Sequence, residues 1–294
     1  MPNSDKTTPL DPHTVIDWFA IHARDLPWRR PGTTAWGVLV SEVMSQQTPV
    51  SRVAPQWVEW MNRWPRPSDL AAAQRADVIR AWGKLGYPRR AQRLHTAAEA
   101  IATQHGDIVP HKVEDLLALP GIGDYTARAV AAFAYHADVP VVDINVRRVL
   151  RRHEQGVFLP GAHRPADLKL VAQLLPDGDA ATFSAGLMEL GALVCVARTP
   201  KCGQCPLRAT CAWRAAGCPQ PSAEELSKKR VQKFTGTDRQ VRGLLMDVLR
   251  GAESPVERKM LDAVWDDAEQ RDRALESLLA DGLAQRDESG RYRL

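Results

Sequence analysis

Leu119-Pro120-Gly121-Ile122-Gly123, with Asp143 twenty residues further on in Val141-Val142-Asp143-Ile144-Asn145-Val146-Arg147-Arg148-Val149, is the stretch that decides the fold of this 294-residue chain. The pentad lies between two apolar patterns of helical period, so it reads as a tight connection between helices. Glycine permits positive φ in such a turn. The backbone N–H groups left uncovered at the start of the next helix can bind a phosphate without reading sequence. Gly121 and Gly123 are therefore candidate phosphate contacts. Asp143 precedes another helical run and reads first as its N-cap.

Outward from this stretch the apolar spacing stays helical from Pro12 to Cys195. Val15, Ile16, Phe19 and Ala23 make one stripe, and Val53, Trp57, Trp60, Met61 and Trp64 another. Further runs cover 89–105, 125–136, 145–153 and 179–195, with Ser68 and Asp124 as expected N-caps. The only alternation of strand type is at the C-terminus. The fold class is therefore mostly α, and the length allows two or three buried cores. Residues 219–236, with Pro219, Pro221 and the run Lys228-Lys229-Arg230, read as a basic linker. Three short helical patterns at 239–250, 256–265 and 268–280 follow, then apolar pairs around Glu288-Ser289-Gly290. Three helices and a terminal hairpin make a winged-helix-like segment at 237–294.

Hydrophobic residues at 44% and charged residues at 25% describe an ordinary globular chain, without an apolar run of membrane-spanning length. The polar start, Met1 to Asp11, reads as a disordered lead-in rather than a signal peptide. A cytoplasmic, nucleoid-associated protein without membrane contact is expected. The net charge of +4 is unevenly placed: residues 236–294 hold 10 Lys+Arg against 13 Asp+Glu, which leaves +7 on the rest. Basic charge supports phosphate binding without identifying it.

Four cysteines follow as Cys195-x6-Cys202-x2-Cys205-x5-Cys211. Four thiolates within seventeen residues can wrap one soft metal centre. A structural zinc site usually uses two CxxC or CxxH knuckles, and this run has one and no nearby histidine. One 4Fe–4S cluster fits the wider loops better, with Cys218 outside the pattern as a plain thiol.

This cysteine run, placed directly after Met188-Glu189-Leu190-Gly191, resembles the cluster loop of the endonuclease III superfamily of DNA glycosylases, and the pentad resembles its helix–hairpin–helix. Three further segments resemble the adenine DNA glycosylase (MutY) branch: Arg24-Asp25-Leu26-Pro27-Trp28-Arg29, Ser41-Glu42-Val43-Met44-Ser45-Gln46-Gln47-Thr48, and Leu85-Gly86-Tyr87. The resemblance implies two helical domains, one of residues 1–31 plus 141–218 holding the cluster and one of 32–140 carrying the hairpin. It implies that Glu42 protonates the adenine and that Asp143, with Asn145 beside it, stabilises the sugar cation. An acid at Glu42 must be kept protonated by burial, and a largely apolar helix fits that need. Arg24, Leu26, Trp28, Arg29 and Glu189 are implied to line the pocket for the flipped base. Gln46, Gln47 and Tyr87 are implied to meet the duplex beside the lesion. Tyr125 replaces the lysine with which the strand-cutting branch forms a Schiff base, so base removal without strand cleavage is expected.

The match runs from about Pro12 to Cys211 and departs at two points, Ile144 for a glycine and Pro88 for a second tyrosine. The usual Nudix-like lesion-reading domain has no counterpart; the acidic winged-helix-like segment stands in its place. Such a segment serves either packing or DNA contact, and 228–233 offers the more basic phosphate contact. The expected partner is double-stranded DNA with adenine mispaired to 8-oxoguanine or guanine, bound by a monomer. Two other readings stay open: a glycosylase/lyase for oxidised pyrimidines, which Tyr125 opposes, and a non-enzymatic iron–sulfur DNA-binding sensor, which needs neither Glu42 nor Asp143.

Overall fold

Helices dominate the computed structural model, which describes residues 9–227 and 234–294. In chain order they are α1 (Pro12–His22), α2 (Ala35–Ser45), α3 (Val50–Arg63), α4 (Pro67–Ala71), α5 (Arg75–Trp82), α6 (Arg89–Gln104), α7 (Val113–Ala118), α8 (Asp124–Tyr135), α9 (Ile144–Gln155), α10 (Pro165–Leu174) and α11 (Ala180–Leu193). There follow α12 (Ala212–Ala215), α13 (Ala223–Ser227), α14 (Asp238–Gly251), α15 (Arg258–Asp262) and α16 (Ala268–Ala280). Strands β1 (Gln285–Arg286) and β2 (Tyr292–Arg293) close the chain as an antiparallel pair. Among the described residues, no helix is long and apolar enough to cross a membrane. The lead-in at 1–8 and the basic run at 228–233 lie outside the described residues.

The chain divides into two compact units. Within the described residues, one comprises 9–42, 110–118 and 122–227, and the other 43–109, 119–121 and 234–294. In the first, α1, α9, α10 and α11 converge on Val15, Trp18, Val146, Leu150, Phe183 and Leu187. Each such side chain contributes roughly 1.5–3 kcal/mol by leaving water. Two glycines let α11 approach its neighbours: a Cβ on Gly186 would lie 2.9 Å from the Val15 side chain, and one on Gly191 2.7 Å from the Asn145 Cβ. Tyr125, at the start of α8, packs with Met188 against a small cluster of Ala129, Ala132 and Val141.

The second unit contains a tryptophan cluster in which Trp60 meets Trp64 and Trp82 edge-on at 4.9 and 5.5 Å between ring centroids. It also holds the C-terminal segment, whose apolar face of Val241, Leu245, Leu249, Leu275 and Leu278 packs with Ile79 of α5. An isolated bridge between Val256 and Tyr292 joins the terminal hairpin to the rest of the segment. Three helices and a hairpin are what the sequence pattern predicts for 237–294.

The helical runs agree with the apolar periodicity, but two caps differ. The cap of α4 falls at Arg66, whose backbone N–H donates to Asp69, while Ser68 donates its own N–H and hydroxyl to Asp107. Gly123, not Asp124, caps α8, and Asp124 accepts from Arg128 one turn on. In both places a side chain with a more distant partner loses the capping role that short-range pattern assigns it.

Candidate active site and cluster pocket

Glu42, Tyr125, Asp143 and Asn145 come together in the first unit. Asp143 is the N-cap of α9, accepting from the Val146 N–H at 2.7 Å through one oxygen and from the Asn145 amide at 2.6 Å through the other. The residue is thus the helix cap through one oxygen, with the other held by Asn145. Its carboxyl is raised by burial, against the hydrogen bonds of Val146 and Asn145 and the charge of Arg148, which favour the ion. Glu42, on α2, is also lifted, to about 7. Burial is the main cause, and the Tyr125 hydroxyl that donates to it and the neighbouring Arg29 only partly oppose it, while Asp143 adds repulsion. Tyr125 is itself held well above its ordinary value by burial and by the two carboxyls. Two acids in unlike surroundings, one readily protonated near neutrality, form a general acid–carboxylate pair.

A second acidic centre adjoins it. Glu189 of α11 is 1% exposed and accepts from Arg24 through its backbone N–H at 3.0 Å, its Nε at 2.7 Å and its Nη2 at 2.9 Å, and from Arg29 at 3.1 Å. Burial pushes this carboxyl up, but the Arg24 and Arg29 contacts more than offset it, and the net displacement is downward. The Arg29 guanidinium also lies 5.3 Å from the Phe19 ring. Between the arginines, Leu26 is buried and Pro27–Arg29 form a single 3-10 turn that carries Trp28. Arg24 and Arg29 are thus joined through Glu189, with Leu26 and Trp28 on the short segment between the two arginines.

Arg148 is a partner the sequence did not single out. Its guanidinium donates to the Asn145 Oδ1 at 2.7 Å, the Gly191 carbonyl at 2.6 Å and the Cys195 carbonyl at 2.7 Å. With Oδ1 engaged there, the Asn145 amide N–H points at Asp143. A chain of hydrogen bonds thus joins the Cys195 backbone to the carboxylate of Asp143. One turn along α9, Arg152 is 1% exposed and donates to the carbonyls of Phe158, Cys195, Val196 and Ala197 and to the Cys195 Sγ at 3.3 Å. The i, i+4 spacing of two arginines on an otherwise apolar face was the available signal.

The four cysteines line one pocket with Arg152, Pro200 and Trp213, of ≈ 330 Å³ with its open mouth included. Among the described residues, no three His, Cys, Asp or Glu side chains converge on a single ion position. The thiols form a ring around a space, which suits a polynuclear cluster ligated at its corners. As free thiols three of them are held protonated: burial and mutual repulsion raise Cys202 and Cys211, and burial pushes Cys205 up to about 12. Such thiols become ligands only by exchanging protons for a cationic centre. The donor set fits an iron–sulfur cluster.

In the second unit the expected duplex-facing residues sit on two loops joined by Arg90, the other residue that sequence reasoning missed. Arg90 is 7% exposed and donates to six acceptors: the carbonyls of Val43, Met44, Gln46, Leu85 and Gly86 and the Thr48 hydroxyl. Burial lowers it to about 10. The loops it staples carry Gln47 and Tyr87, both non-glycine residues at positive φ (53° and 48°). Arg90 occupies an apolar position in the α6 stripe with Leu94, Ala97 and Ile101, and a charge in such a register signals an interior role. Gly121 has φ 77°, and a Cβ there would lie 2.8 Å from that of Arg93. Gly123 has φ −100° and serves as the cap of α8. The hairpin pentad thus needs positive φ at its first glycine only.

Residues 40–156 match the HhH-GPD superfamily of base excision DNA repair proteins, and residues 195–211 match the iron–sulfur binding domain of endonuclease III. The adenine DNA glycosylase of Mycolicibacterium smegmatis is 58% identical over 97% of this chain and 96% of its own length. That of Mycobacterium tuberculosis is 56% identical over 95% and 92%. The Homo sapiens adenine DNA glycosylase is 38% identical over 67% of this chain but only 38% of its own length. Among solved structures, a thermostable thymine-DNA glycosylase superposes with a TM-score of 0.65 at 25% identity, covering 70% of this chain and 95% of that one. A trapped endonuclease III–DNA covalent intermediate gives 0.61 at 20% identity over 72% and 100%.

Proposed function

Since the chain belongs to the adenine DNA glycosylases, iron–sulfur members of the helix–hairpin–helix superfamily of base excision repair, we propose that it excises adenine mispaired with 8-oxoguanine or guanine, with Glu42 as acid and Asp143 as stabilising carboxylate. The observation that carries this reading is the lift of the Glu42 carboxyl to about 7 beside a second carboxylate held by α9. Glu42 gives its proton to a ring nitrogen of the flipped adenine, which makes the base a better leaving group. The glycosidic bond then breaks with its electron pair going to the base. The cation left on the sugar lies against Asp143, whose charge Val146 N–H, Asn145 and Arg148 stabilise. Water adds to the sugar carbon, and the Glu42 carboxylate takes its proton, which restores the acid.

Arg24, Leu26, Trp28, Arg29 and Glu189 hold the extruded base, and Gln46, Gln47 and Tyr87 fill the space it leaves. Gly121 and Gly123 offer backbone N–H groups to a phosphate. The cluster, when bound at Cys195, Cys202, Cys205 and Cys211, supplies structure by fixing the loop between its ligands. Tyr125 has no amine to form a Schiff base, which argues against the lyase reading. The paired carboxyls argue against a sensor without enzymatic activity.

Single-turnover cleavage of duplexes with adenine opposite 8-oxoguanine, guanine, cytosine and thymine tests the substrate. The expected order places 8-oxoguanine first and guanine second; equal rates with all four would refute it. The same reactions, stopped without heat or alkali, should show intact strands, and a nicked product would overturn the assignment of base removal alone.

A further inference from the structure

Tyr87 is 40% exposed on its loop, with two guanidiniums close to its ring. Arg90 lies 5.5 Å from the ring centroid and is fixed by its six acceptors. Arg239, in the first turn of α14, lies 4.6 Å from the same ring and 5.7 Å from the ring of Phe234, which is 53% exposed. The C-terminal segment thereby extends the loop into an exposed stack of Tyr87, Arg239 and Phe234, all within the second unit.

The charge environment of the segment bears on Arg239. Residues 236–294 carry more acids than bases, and Arg242, Arg250, Arg258, Arg271 and Arg273 are each paired with an aspartate. Among the described residues, no carboxylate pairs with Arg239. An unpaired planar cation between two exposed aromatic rings is built to meet a flat, electron-rich partner. A nucleobase is such a partner, since its face stacks on rings and its edge carries acceptors.

We propose that Arg239, with Tyr87 and Phe234, reads the purine left opposite the extruded adenine, which makes the C-terminal segment part of the specificity site. This rests on the adenine-excision reading above. A guanine-type purine presents its O6 acceptor to the guanidinium fork, and 8-oxoguanine adds a second oxygen at C8. Adenine and cytosine present amino donors at the matching edge and are disfavoured. The mycobacterial relatives, which match this chain over nearly its whole length, include this segment, whereas the human match covers 67% of the chain.

The test is affinity, measured by fluorescence anisotropy, for duplexes holding a stable abasic analogue opposite 8-oxoguanine, opposite guanine, or opposite a second abasic analogue. R239A should weaken binding to the two purine-bearing duplexes about tenfold more than to the base-less one. R239K should fail to restore the difference, because an ammonium keeps the charge and loses the fork. F234A provides an independent variant with the same sign and a smaller effect, and thermal melts check that each variant is folded. Equal weakening on all three duplexes, no weakening, or full rescue by R239K would each overturn the proposal and reduce Arg239 to a phosphate contact or a bystander. If wild type cleaves adenine equally opposite every base, the substrate reading fails separately, and the comparison with and without an opposing purine still decides the role of Arg239.

Discussion

At Glu42 a single carboxyl ties both rate and stability to pH, and both fall as pH rises. With its value near 7 in the folded protein, the acid form is present below about pH 7 and is lost above it. Single-turnover excision should therefore fall by about tenfold per unit as pH rises beyond that point; a rate independent of pH between 6 and 9 would exclude Glu42 as the acid. Its folded value lies above the ordinary 4.5. Between the two, the folded state keeps a proton that the unfolded chain has released. Stability thus declines as pH rises through that window and stays lower above it. Glu42→Gln should abolish excision yet raise stability at pH 8 by on the order of 2 kcal/mol, with little gain at pH 4, as read by denaturant melts. The role proposed for this residue follows from the resemblance that its neighbours in sequence carry, but the Tyr125 hydroxyl that donates to it was not legible there. That contact joins α2 to α8 across some eighty positions, and local pattern carries no information about it.

Among elements, α9 and α6 show how a helix face can carry more than apolar packing. Helical periodicity located both, because Val146, Val149 and Leu150 on one and Leu94, Ala97 and Ile101 on the other follow the interior stripe. The arginines in those stripes were harder to see, since a long cation near a helix end usually reaches solvent. Arg90 instead donates to six acceptors on two loops, three of which (the carbonyls of Gln46, Leu85 and Gly86) also accept from Thr48 or Trp82. Arg90→Leu removes the donor that the two loops share and should cost at least ~3 kcal/mol, measured by urea unfolding. A loss under 1 kcal/mol would mean that the two loops hold themselves. On α9, Arg148→Met frees the Asn145 amide to turn away from Asp143. The turnover rate should drop by about tenfold or more, with a smaller change in affinity for the substrate duplex. Gly191→Ala probes the same contact sterically, because its new Cβ would meet the Asn145 Cβ at 2.7 Å and its backbone at 2.9 Å.

For the molecule as a whole, the division into two units explains why some of the fold was readable and some was not. The cluster ligands fall within seventeen residues, so their spacing favoured an iron–sulfur cluster over zinc and the resemblance to the endonuclease III loop made the choice. The winged-helix-like segment was equally visible as three periodic runs and a hairpin. Its partner was not, because Ile79 of α5 lies more than 150 positions before Val241, and nothing local links them. Removal of 237–294 uncovers that shared apolar face, and the truncated protein should aggregate or melt well below the full chain in a thermal scan. Loss of iron should act on the first unit. With the cluster gone, the carbonyls of Cys195 to Ala197 lose the anchor that holds them over Arg148 and Arg152. Cluster-free protein should then show faster hydrogen exchange across 194–215 and slower excision, while Glu189 keeps its arginine partners.

Asp143 caps α9 and, in the proposed mechanism, also carries the charge of the reaction, and asparagine can replace it in the first duty but not in the second. A cell carrying Asp143→Asn beside the normal copy would accumulate a stable, well-folded protein that finds mispairs and holds them uncut. Such an allele would behave as an obstruction: it would shelter adenines from the working enzyme and raise the mutation rate above that of a cell with one copy simply deleted. Fluctuation assays on the two heterozygous strains would tell a roadblock from a mere absence.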